Sequence, residues 1–185
     1  MRTLRLSLAG IVTVVLLGGP SGVVVSQDEE ALAPDVARPV SGQVFIGNVF
    51  QSATVAEVDG SQELRGLGFY DTIEMDDARL SGTMWQVWNR DSIGGPLRQG
   101  DGEVETGTVA LVNDDGTWVG TMRGYTTMGP RTHHYHIELT GTGAHEGHSA
   151  MLYVHGLQGG PWDAEGLAFP GVLPEYPAPV QVPAE

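Results

Sequence analysis

The run Val109-Ala-Leu-Val-Asn-Asp-Asp-Gly-Thr-Trp-Val119 decides the fold class. It holds two apolar segments with Asp115-Gly116 between them. Glycine accepts the positive φ of a tight primed turn, so Asp-Gly in this setting marks a β-hairpin. Outward from this hairpin, Asp59-Gly60, Gly94-Gly95, Asp101-Gly102 and Gly159-Gly160 punctuate the chain in the same way. The intervals predict strands over 43–50, 53–58, 64–75, 81–89, 103–113, 117–126, 132–140, 148–155 and 162–169. No stretch between them sustains a 3.6-residue period over ten residues, so an antiparallel meander is expected. Strands of this number and length can close into a small barrel, and closure removes exposed edges. The reading is therefore all-β, a small closed antiparallel barrel of about eight strands over 41–169. A two-sheet β-sandwich is the alternative.

Composition narrows the function classes. The 185 residues include 23 acidic and 9 basic side chains, for a formal charge of -14. Every basic residue is Arg, which excludes a Lys Schiff base and a P-loop Lys. No basic patch of useful size can be assembled, so nucleic acid is not an expected partner. The absence of Cys excludes disulfides, thiol nucleophiles and thiolate metal sites. Gly, at 27 residues, is about twice as frequent as usual, in keeping with turns and strands.

The ends differ from the middle. Met1-Arg-Thr-Leu-Arg5 is a short positive start, and the apolar run over 6–17 closes at Gly18-Gly19-Pro20. A membrane-spanning helix needs about 20 apolar residues. The run fits a secretory signal peptide over 1–26, with Val24 and Ser26 before the cut, and the alternative is an uncleaved anchor. Secretion, and no membrane association after cleavage, are the corresponding expectations. Residues 27–40 are acidic and aperiodic, a flexible lead-in. Residues 170–185 hold five prolines and form a Pro-rich tail, extended or disordered, with no adjacent basic residue to suggest a recognition segment.

The segment Thr140-Gly141-Thr142-Gly143-Ala144, followed by Glu146-Gly147, resembles the late hairpin of the allene oxide cyclase and dirigent families. That resemblance implies an eight-stranded antiparallel barrel with a central cavity for apolar small molecules. Ala144-His145 stands where those families carry a bulky apolar residue, and no catalytic residue of either family has a counterpart here.

Three constellations are candidates for chemistry. Leu67, Phe69, Asp71, Ile73 and Met75 alternate on one strand face, so a carboxylate interrupts an apolar row. An inward Asp71 must be paired or have a raised pKa. Arg123, in a row with Val119, Thr121 and Tyr125, is the suggested partner, and Asp71, Arg123 and Tyr125 are the candidate ligand-binding residues. Thr132, His134, His136 and Glu138 share a face opposite His133, Tyr135, Ile137 and Leu139. Two imidazoles and a carboxylate suit a divalent metal if that face is inward, and otherwise form a polar solvent side. His145-Glu146-Gly147-His148 has a spacing one residue short of the zincin helix motif and reads as loop polarity. Three functions follow: a secreted barrel binding a small apolar molecule or acting as a non-catalytic module, a cavity enzyme of cyclase or isomerase type, and a metal-dependent barrel using His134, His136 and Glu138. The first is preferred, with no cofactor, because no catalytic constellation closes.

Overall fold

The computed structural model describes residues 36–177. The expected signal peptide lies outside the described residues. Among these residues nine strands follow one another: β1 (Arg38–Gln51), β2 (Thr54–Val58), β3 (Ser61–Met75), β4 (Gly82–Ile93), β5 (Gly102–Val112), β6 (Gly116–Thr127), β7 (Thr132–Gly143), β8 (His148–Leu157) and β9 (Trp162–Pro170). A three-residue 3-10 turn, Ala78–Leu80, is the one helical element among the described residues. All nine expected strands are present. β1 begins at Arg38, so the lead-in ends before residue 40.

One antiparallel sheet contains all nine strands, which removes the two-sheet sandwich. From β3 to β9 each strand pairs with the next. β1 pairs with both β9 and β3, so hydrogen bonds run round a barrel-like ring of eight strands. β3 is 15 residues long. Its first part carries the five-residue β2 and its second part carries β1, so these two partners share one edge end to end.

Alternation fills the ring. Trp88, Trp118, Leu111, Ile137, Leu139 and Val154 all point inward and are buried. Burying a large apolar side chain contributes roughly 1.5–3 kcal/mol, so these inward rows carry much of the stability. Large rings face small residues across the strands. Gly124 lies opposite Tyr135, and a Cβ there would sit 2.4 Å from the Tyr135 ring and 2.0 Å from the His134 carbonyl oxygen. Trp88 packs edge-on to both Phe69 and Tyr135, with centroids 4.6 and 4.7 Å apart.

Candidate functional site

Asp71 lies inside, as its apolar row implies, with no solvent exposure. Its carboxylate accepts the Gly47 N–H at 2.8 Å and the Gln86 side-chain amide at 2.6 Å. The Gln86 carbonyl in turn accepts the Trp88 indole N–H at 3.0 Å. Burial pushes the Asp71 carboxyl up to about 6, against the two hydrogen bonds that favour its ionised form. Gly47 sits where the β1–β3 register shifts, between Phe45 and Asn48. Asp71 thus pins a β-bulge of β1 to the interior.

Arg123 is not its partner. Trp118, Met122 and Thr126 take the inner face of β6, which sends Arg123 and Tyr125 outward. The Arg123 side chain is 61% exposed and lies 3.6 Å from the Glu138 carboxylate. A cavity enzyme built on an Asp71–Arg123 pair therefore loses its central element.

A second buried polar group was not legible in the sequence. Glu103 and Glu105 point into the ring, while Val104 between them is half exposed. Arg90 bridges both carboxylates, at 3.3 and 3.1 Å, and Arg131 also pairs with Glu103. The Glu105 oxygens accept the Thr126 hydroxyl at 2.6 Å and the Tyr135 hydroxyl at 2.9 Å. His133 Nδ1 lies 2.8 Å from each of those two hydroxyls. Burial raises the Glu105 carboxyl and the Tyr135 phenol. Burial, reinforced by Arg131 and Arg90, lowers His133 to about 4, so its ring is neutral near pH 7. Glu103, Glu105, His133 and Tyr135 are each no more than 4% exposed, so the cluster is a polar network buried along the inner side of β4 to β7.

The metal candidates face outward. Tyr135, Ile137 and Leu139 occupy the inner side of β7, leaving His134, His136 and Glu138 outside. Among the described residues no group of three or more His, Asp or Glu could hold a metal ion. Rings surround His134 instead. It stacks on Tyr125 at 4.8 Å, and its Nδ1 lies 2.7 Å from the Tyr153 hydroxyl. His145 of the short-spaced His-Glu-Gly-His run is buried, stacked on Trp118 at 5.0 Å, with Nε2 3.1 Å from the Asn113 carbonyl.

Strand register assembles this outer face. Arg123 pairs with His136, His136 with Tyr153, and Tyr153 with Glu165. In the next row Glu138 pairs with Met151, Met151 with Leu167, and Leu167 with Pro39. Together they line a groove of about 690 Å³ running from β6 to β1. Pro39, Met151 and Leu167 give it an apolar stretch, and Arg123, His136 and Glu138 give it a polar end. The same three polar residues, with Tyr176 of the tail, line an adjoining recess of about 270 Å³. The sequence singled out Arg123, His136 and Glu138, but for other partners; Tyr176 and Tyr153 had no signal beyond being aromatic. Comparison with protein family models, characterised proteins and solved structures gives no match to this chain.

Proposed function

We propose that the chain is a secreted, non-catalytic binding module that holds a small, largely apolar molecule in the outer groove. The carrying observation is the groove itself: about 690 Å³, apolar along Pro39, Met151 and Leu167, and ended by an Arg123–Glu138 ion pair. Its volume falls within the usual range for small-molecule sites, roughly 300–1,000 Å³. The apolar stretch supplies affinity by desolvation, and the few polar groups fix orientation. Arg123 donates and Glu138 accepts, so the ligand's polar end is a group that does both, such as a hydroxyl. The likeness of Thr140–Gly147 to allene oxide cyclase and dirigent hairpins implied a ligand in a central cavity; because Trp88, Trp118, Leu111 and Tyr135 are buried inside the ring, we put the ligand on the outer wall instead. Native mass spectrometry and a thermal-shift screen of lipids and phenols test the reading. Binding should be lost in Met151→Arg and retained in Asp71→Asn, which alters only the interior. A ligand whose binding ignores Met151→Arg would overturn the reading.

A further inference from the structure

Beyond β9 the chain does not leave the surface. Gly171, with φ of 101°, turns it, and its N–H and carbonyl are held by Gly147 and Ser149 at 2.7 and 2.8 Å. The next residues, Val172-Leu-Pro-Glu-Tyr-Pro177, bring Tyr176 to the recess that adjoins the polar end of the groove, on the same Arg123 and Glu138. There the Tyr176 hydroxyl donates to Glu138 Oε1 at 2.5 Å and accepts from Arg123 Nη2. The Arg123 guanidinium also lies over the Tyr176 ring, 5.1 Å from its centroid. The nearest oxygen and nitrogen of the Arg123–Glu138 pair are 3.6 Å apart, beyond ordinary hydrogen-bond length, and the phenol hydroxyl bridges them.

Resting on the groove as the binding site, we propose that residues 172–177 are a self-ligand: Tyr176 fills the polar end, and any molecule that uses Arg123 and Glu138 must displace the tail. The polar end therefore takes a phenolic hydroxyl, and the chain's own tail supplies the resident one. Pro174 and Pro177 fix φ and hold the segment extended, which lowers the entropy lost on docking. The tether from Gly171 is only five residues, so the effective concentration of Tyr176 at the site is in the millimolar range or above. A weak contact then suffices to keep the site filled. At 65% exposure Tyr176 is fastened by its hydroxyl and one ring face, and a competitor that also reaches Met151 and Leu167 can replace it.

The test uses the full chain and a dye-labelled peptide Val-Leu-Pro-Glu-Tyr-Pro, followed by fluorescence anisotropy. Tyr176→Ala empties the site and should bind the peptide about tenfold or more tightly than the wild type, in which the tail competes. Adding Arg123→Ala to Tyr176→Ala should abolish that binding, and a peptide with Phe for Tyr should bind as poorly as to the wild type. Thermal midpoints of the variants should match the wild type, because both substitutions are on the surface. Equal peptide binding by the wild type and Tyr176→Ala, or binding that survives Arg123→Ala, overturns the self-ligand. If those arms fail while a small molecule still binds in a Met151-dependent way, the groove reading stands without the tail. Loss of both removes the groove as well.

Discussion

Replacing Asp71 with Asn should change how stability depends on pH, by an amount that follows from the site. The Asp71 carboxyl titrates near 6 in the folded chain, and an unfolded Asp titrates near 3.9. The shift is about two units, or roughly 3 kcal/mol. Its sign is set by the raised folded value. Between about pH 4 and 6 the folded chain binds more protons than the unfolded chain, so Asp71's contribution is fully present in acid and is lost as pH rises through 6. His133 has the opposite sign. It titrates near 4 when folded and near 6.5 when unfolded, so its contribution is present above 6.5 and is lost as pH falls toward 4. The two slopes offset each other in the wild type over nearly the same window. Glu105, also raised by burial, adds to the Asp71 side. Asp71→Asn removes one slope and leaves the others. Urea unfolding followed by the fluorescence of buried Trp88 and Trp118, at intervals from pH 4 to 7, measures the difference. The stability of Asp71→Asn minus that of the wild type should rise by about 2 kcal/mol from pH 4 to 6.5, since part of the full shift lies outside that window. A constant loss from broken bonds to Gly47 or Gln86 moves this curve without tilting it. A flat difference would show that Asp71 titrates alike in both states, and the argument from desolvation would be refuted.

Arg90→Met leaves Glu103 and Glu105 facing each other with one fewer cation and should cost about 3–5 kcal/mol in urea midpoint analysis, part of it recovered in acid as Glu105, whose carboxyl is raised by burial, takes up a proton. Gly124→Val places side-chain atoms where the His134 carbonyl and Tyr135 ring already stand; we expect loss of the cooperative unfolding transition by circular dichroism, whereas Tyr125→Val next to it, on the exposed face, should shift stability by under about 1 kcal/mol. Intact-mass measurement of the exported protein should give a chain beginning at Gln27, and retention of residues 1–26 would mean an anchor.

The strands were legible because two signals agree, period-two alternation and Gly-containing turns at Asp59, Asp101 and Asp115. Facing was legible only where one side of a strand was plainly apolar. Tyr135, Ile137 and Leu139 outweighed His133, and His134, His136 and Glu138 went outside as the opposite row. On β5 the same logic points the wrong way. Local polarity alone would put Val104 inside and Glu103 and Glu105 in solvent, yet the carboxylates are inside, where Arg90 and Arg131 reach them from β4 and the β6–β7 turn. A partner at that sequence distance leaves no local trace. Tyr176 was hidden for the same reason, since the basic residue missing from the Pro-rich tail is supplied by β6, 53 positions earlier.

The double pairing of β1 bears on the order in which the chain can fold. Every strand from β3 to β9 meets its partner across a short turn, so hairpins can form as soon as they are made or emerge. β1 is different: its edge on β3 can pair early, but Gln43 on its other edge contacts Asp163, 120 residues away, and the ring does not close until β9 exists. The first strand to appear is thus the last to be satisfied. Until the final strand arrives the ring stays open, and the clasp shuts only when β9 is laid beside β1.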